Sequence, residues 1–167
     1  MEPIDFEVLG NPEKHILSKG GSILMAYSNK EIAGTVALKF VAPGVYEFTK
    51  MAVDENFRRK GIAEKLCYAS LHKAKELGAT TVILYSNTKN AAAIKLYEKI
   101  GFRHLKVEPG VYKRANVKME IGIEEADMVR GMTRSVRHVE IPPARRYPLL
   151  SMQHDQRLLR HREHLAP

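Results

Sequence analysis

The sequence predicts an α/β (α+β) fold with a mixed, mostly antiparallel central sheet built round one β-α-β unit. Three observations carry this. Apolar, β-prone runs at residues 23–27, 32–40 and 45–53 are separated only by turn sequences, Ser28-Asn29-Lys30-Glu31 and Ala42-Pro43-Gly44, which makes three antiparallel strands. From Ile62, the residues Ala63, Leu66, Cys67, Ser70, Ala74 and Leu77 recur at helical spacing up to Gly78, a good left-handed terminator. Val82-Ile83-Leu84 follows, apolar without alternation, as expected of a strand covered on both faces. Helix and strand together are the β-α-β unit.

The remaining elements read as follows. In the third strand, strict alternation sends Tyr46, Phe48, Lys50 and Ala52 one way and Val45, Glu47, Thr49, Met51 and Val53 the other. Residues 89–100 form a second helix closed by Gly101, with Ala93, Leu96, Tyr97 and Ile100 on one face. Residues 102–107 and 117–123, where Val117, Met119, Ile121 and Ile123 alternate, form a last hairpin. Residues 1–22 are weakly patterned; Asn11-Pro12-Glu13 and Gly20-Gly21 bracket one short helix over residues 13–18. The domain organisation is therefore an abbreviated helical segment (1–22), a core (23–123) and an extension (124–167).

That extension differs in character. All eight of its basic residues are arginine, whereas the preceding part is mostly lysine, and four of the seven histidines fall in it. It reads as an appended, flexible segment with residues 124–133 and 153–164 its helical parts. Its spaced histidines lack a cysteine or carboxylate framework, so no metal is expected.

At 167 residues and 44% hydrophobic content the chain is long enough for one domain with a real core. No apolar run approaches the roughly 20 residues of a membrane helix and the N-terminus lacks signal-peptide regions, so the expected location is cytoplasmic. The single cysteine, Cys67, lies on an apolar helix stripe and reads as a buried core thiol. A formal charge of +8 favours anionic partners without choosing among them; a nucleic-acid reading lacks both a long basic block and a basic strand interleaved with aromatics. An open strand edge and the basic tail both invite a homodimer.

The stretch Arg58-Arg59-Lys60-Gly61-Ile62-Ala63 opens the first core helix and is a place to put a phosphate. Backbone N–H groups at a helix start are unpaired within the helix and the dipole adds positive charge, which three basic side chains reinforce. Gly61 allows close backbone approach and the small Ala63 keeps the first turn accessible. On this hexapeptide alone, a solvated basic helix end fits equally well. A second stretch, Asn90-Ala91-Ala92-Ala93-Ile94-Lys95-Leu96-Tyr97-Glu98-Lys99-Ile100-Gly101-Phe102, follows one helix and one strand later.

Together the two segments resemble the GCN5-related N-acetyltransferase (GNAT) superfamily. Its acyl-CoA loop, Arg/Gln-x-x-Gly-x-Gly/Ala, is matched by Arg58, Gly61 and Ala63; its second signature is matched by Asn90, Ala93, Leu96, Tyr97, Gly101 and Phe102. The resemblance covers about residues 23–123. It implies an acyl-CoA-binding β-α-β core, acetyl-CoA as acyl donor, no metal, and transfer to a primary amine of a small molecule or protein by direct attack on the thioester. It implies pyrophosphate binding by Arg58, Arg59, Lys60, Gly61, Ile62 and Ala63, and a pantetheine arm along Met51, Ala52 and Val53, where the family splays two strands. Asn90 and Ala93 would lie beside the cofactor, although helix capping explains Asn90 as simply.

Tyr97 matches the family's general acid. Its hydroxyl, with an ordinary pKa of about 10, can protonate a thiolate at neutral pH; the plainer reading is a core tyrosine. Glu47 occupies a strand position where several members carry a glutamate base, although a surface strand glutamate looks the same in sequence. Positioning, with a backbone N–H near Val53 polarising the thioester, supplies rate without a dedicated base. Members place a strand and two helices before the first hairpin to shape the acceptor side, and this chain has room for about one helix. The acceptor side would otherwise be formed by Val111, Tyr112 and Arg114, and nearby Lys and Arg favour an acceptor carrying a carboxylate. The alternative is a non-catalytic acyl-CoA-binding module with an incomplete acceptor site.

Overall fold

The computed structural model describes residues 3–108, 112–113, 115–124 and 139–140. Strands β1 (Ser22–Ser28), β2 (Glu31–Ala42), β3 (Val45–Val53), β4 (Thr81–Ser86), β5 (Arg103–Leu105), β6 (Val117–Gly122) and β7 (Val139–Glu140) form one sheet in the order β5-β6-β4-β3-β2-β1-β7. Only the β3–β4 pair is parallel, because a helix crosses over between them. Asn29 (φ 50°) and Lys30 (φ 67°) make the tight turn between β1 and β2, a left-handed pair of the kind two-residue hairpins select.

Four helices cover the sheet: α1 (Pro3–Gly10), α2 (Pro12–His15), α3 (Ile62–Glu76) and α4 (Ala91–Ile100). The helix expected from Ile62 is α3; Leu77 caps it and Gly78 turns left-handed at φ 81° just beyond. One face of the sheet meets α3 and α4 through Leu24, Val36, Leu38, Phe48, Leu66, Leu71, Val82, Leu84, Ile100 and Met119, a single continuous core. The alternation read in the last strand holds, since Val117, Met119, Ile121 and Ile123 are all buried. The other face is covered at β1 and β2 by the N-terminal helices, through Val8, Ile16, Ile23, Met25 and Ala37.

The first correction concerns that N-terminal region. It holds two helices and a 3-10 turn (Leu17–Lys19) instead of one helix over 13–18. Asn11 caps α2 as its sequence suggested, accepting a hydrogen bond from the Lys14 amide at 3.1 Å, and Gly20 (φ 83°) ends the 3-10 turn. The first helix escaped notice because Ile4, Phe6, Val8 and Leu9 fall all round a helical projection, leaving no stripe to recognise.

The second concerns β3. Its alternation breaks at Lys50, which takes a left-handed backbone (φ 54°). Opposite it the register slips: Ala37 faces Thr49 and Thr35 faces Ala52, so two residues of β3 oppose Val36 alone. The bulge returns Met51 and Val53 to the core face with Tyr46 and Phe48, where strict alternation had put them with Glu47. Gly34 lies against this bulge, and a Cβ there would come within 2.9 Å of the Ala52 carbonyl oxygen and 3.0 Å of Leu66.

The extension contributes β7, whose Val139 and Glu140 pair with Ala26 and Met25 on the edge of β1. Of the helical parts expected over 124–133 and 153–164 only Glu124 is described; the rest, with the acceptor-side residues Val111 and Arg114, lie outside the described residues. No helix among the described residues is long and apolar enough to cross a membrane. Because a Cβ at Gly34 meets backbone that cannot swing away, Gly34→Ala should cost about 1–3 kcal/mol of stability. A fall in the urea midpoint with unchanged m-value would show it.

Candidate active site

The parallel pairing of β3 with β4 runs through four rungs, from Val45↔Thr81 to Phe48↔Leu84, and stops there. Both strands continue, β3 to Val53 and β4 to Ser86, so they part and leave a gap with backbone exposed on the β4 side of β3. Met51, Ala52 and Val53 lie on this stretch. A hairpin turn cannot join a parallel pair, so the chain leaves β3 through a 3-10 turn (Glu55–Phe57), capped by Asp54, and reaches α3 through Arg58 to Gly61.

That connection gathers basic side chains and backbone amides just ahead of α3. Arg59 (φ 59°) and Gly61 (φ 73°) are both left-handed, an arrangement that makes successive N–H groups converge. None of the amides from Arg59 to Glu64 donates to a carbonyl among the described residues; the first to do so is Lys65, to Gly61 at 3.1 Å. A left-handed arginine costs roughly 1–3 kcal/mol, a strain that a binding role accounts for. A Cβ at Gly61 would meet nothing within 4 Å, so packing does not demand the glycine; its backbone conformation does. The cavity beside it, about 240 Å³, is lined by Val53, Phe57, Arg58, Arg59, Gly61, Ile62, Ala63, Glu64 and Leu96. Lys60 instead lays its ammonium 5.0 Å from the centre of the Phe57 ring. Glu64 would be an odd neighbour for a phosphate, but Lys99 holds both its oxygens at 2.9 Å and neutralises it.

Asn90 caps α4 without a side-chain hydrogen bond, so the capping explanation does not use its amide, and the residue is exposed. Ala93 packs half-buried against the core one turn later. Tyr97 follows on the same helix face, its ring edge-on to Phe48 at 5.7 Å and tilted against Phe102 at 5.9 Å. It is buried, yet its hydroxyl has no hydrogen-bond partner among the described residues, and no buried polar atom there is left orphaned. The hydroxyl is therefore not fully enclosed. Burial, then the neighbouring Cys67, raises its pKa well above the ordinary tyrosine range, so it stays protonated through the neutral and alkaline range. Cys67 is the core thiol expected, fully buried with Sγ 3.8 Å from Met51 Sδ; burial first and Glu64 second push it up to about 12.

Glu47 lies on the opposite face of β3 from Tyr97. It is the one charged side chain buried among the described residues, only 4% exposed. Tyr112 donates its hydroxyl to Oε1 at 2.7 Å, and the Lys39 ammonium stands 3.5 Å from Oε2 on the adjoining strand. Tyr97 and Glu47 thus flank β3 beside its last rung with β4. Lys39, Tyr85, Phe57 and Glu64 are neighbours that sequence reasoning did not mark. Lys39 could have been found only from the strand register, and nothing in the sequence distinguishes Phe57.

The β3–β4 pair thus opens beside this basic connection, with Tyr97 and Glu47 on opposite faces of β3. The sequence matches the acetyltransferase (GNAT) family over residues 3–102, and the chain belongs to that family. Over 134 residues it is 31% identical to an uncharacterized N-acetyltransferase of Bacillus subtilis, YvbK, covering 77% of this chain and 86% of the relative. A GNAT-family acetyltransferase structure from Staphylococcus aureus superposes with a TM-score of 0.67 at 25% identity, over 74% of this chain and 81% of that one. A Bacillus subtilis acetyltransferase solved in complex with CoA gives 0.57 at 26% identity, over 71% and 90%.

Two outcomes follow from this geometry. Gly61→Ala should bind CoA within about threefold of wild type, costing only left-handed backbone strain, whereas Gly61→Glu should weaken binding at least about tenfold in calorimetric titration. The Cys67 thiol, raised from 9.0 to about 12 in the fold, contributes stability that is complete below pH 9 and is lost as pH rises toward 12. Denaturation midpoints should fall across that window, less steeply in Cys67→Ala.

Proposed function

We propose that the protein transfers the acetyl group of acetyl-CoA to a primary amine. The observation that carries the reading is the opening between β3 and β4 after Phe48↔Leu84, with Tyr97 on one side of β3 and Glu47 on the other. A thioester in that gap meets a proton donor and a proton acceptor from two sides. The unpaired amides from Arg59 to Glu64, with Arg58 and Arg59, hold the pyrophosphate. The β4-side backbone of Met51 to Val53 receives the pantetheine arm, and Asn90 and Ala93 border it.

The residues divide the work as the chemistry requires. Glu47 takes a proton from the incoming ammonium, because only a neutral amine attacks. A Val53 backbone N–H polarises the thioester carbonyl, stabilising the oxyanion as the C–N bond forms. When the C–S bond breaks, Tyr97 gives its proton to the departing sulfur, and its raised pKa keeps that proton available at every pH at which an amine is acetylated. Burial of Glu47 serves no packing need: an apolar residue would fill the site without the desolvation cost of a charge.

Tyr97→Phe tests the assignment cleanly, because the hydroxyl has no protein partner to orphan among the described residues. It should lower kcat by about 10²-fold or more while acetyl-CoA affinity stays within about threefold. A wild-type chain that binds acetyl-CoA yet acetylates no member of a broad amine panel would instead be an acyl-CoA-binding module.

A further inference from the structure

The face of the sheet that carries Glu47 holds a run of contacts that acetyl transfer alone does not require. Lys118 Nζ lies 5.7 Å from the centre of the Tyr85 ring, and Tyr85 packs against Tyr112 at 5.2 Å. Tyr112 reaches Glu47 at 2.7 Å, and Glu47 reaches Lys39 at 3.5 Å. The register puts these groups on one face: Lys39 lies opposite Glu47, Glu47 opposite Ile83, and Tyr85 opposite Lys118. Tyr85 directly follows Leu84, the last β4 residue paired with β3, so the run borders the gap where the thioester is placed.

The two lysines are in different states. Lys39 is already paired with Glu47. Lys118 is half-buried and forms no ion pair among the described residues; its ammonium lies over an aromatic face. On its own rung the neighbours are Tyr85 and Leu105, neither of them charged; Glu120 lies two rungs along on the same face, between Arg103 and Ile83 and so in line with Glu47. A cation held over a ring and partly out of water keeps its capacity to receive an anion, and the lower local dielectric strengthens that contact. Glu47, for its part, has one hydroxyl donor and one ammonium at 3.5 Å, which leaves lone pairs for a second ammonium. Glu47 and Lys118 are two strand spacings apart and offset by two residues along the strands, which puts their backbones about 12 Å apart.

We propose that this face is the acceptor subsite and that it takes an amine carrying a carboxylate, with the ammonium against Glu47 and the carboxylate against Lys118. Lys118 is then the residue that sets specificity, and the Tyr85–Tyr112 pair is the floor between the two charges. This rests on the acetyltransferase reading above and narrows its acceptor.

The test is steady-state acetylation by the full chain of a panel of amino acids and their matching carboxamides, which differ in charge with little change in size. Wild type should favour the acids by about tenfold or more in kcat/KM, chiefly through KM. Lys118→Gln should bring that ratio near one, Lys118→Glu should invert it, and Lys118→Arg, which keeps the charge, should preserve it and so exclude misfolding as the cause. Acids and carboxamides acetylated equally well by wild type, or a preference that survives Lys118→Gln, would overturn the subsite and leave the acetyltransferase reading standing. Acetyl-CoA binding with neither class acetylated would overturn both.

Discussion

The end of the β3–β4 ladder is the constraint from which the rest of this molecule takes its meaning. Parallel strands must be joined by a crossover, and here α3 makes it, so the chain has to leave the end of β3 and start a helix within a few residues. That sharp exit concentrates unpaired amides between Arg59 and Glu64 at the point where the two strands have already separated. The Lys50 bulge lies just past the last rung and turns Met51 and Val53 back onto the core, which anchors the end of β3 although it has lost its partner on one side. Gly34 makes room for this from the neighbouring strand. One interruption in hydrogen bonding thus supplies both a groove and an anion cradle.

Tyr97 and Glu47 stand on opposite faces of the same strand. Tyr97 stands among Phe48, Phe102 and the helical layer, in apolar surroundings that hold its proton in place. Glu47 stands on the other face, ringed by a hydroxyl and an ammonium.

Much of this was legible in the sequence, and the failures have physical causes. Period-2 and period-3.6 patterns carried the order of strands and helices because one face of nearly every element is buried; the start of α3 was legible because a glycine precedes a helical stripe. The N-terminal helix was not, since its apolar residues form no stripe. The bulge was invisible because Lys50 is an ordinary strand residue by type, and its left-handed backbone is imposed by tertiary pairing. That error reversed the side on which Met51 and Val53 lie without disturbing the motif they belong to. Glu47 could be named as a candidate, but its burial depends on Tyr112, 65 residues away in the chain, and no local pattern records such a contact.

Hydrogen exchange followed by mass spectrometry, with and without saturating acetyl-CoA, tests the central claim most directly. The account predicts slowed exchange in two separate places, the peptide carrying residues 49–53 and the peptide carrying residues 59–64, with the interior of the β1–β2 hairpin unchanged. Protection confined to the hairpin, or none at saturation, would contradict it.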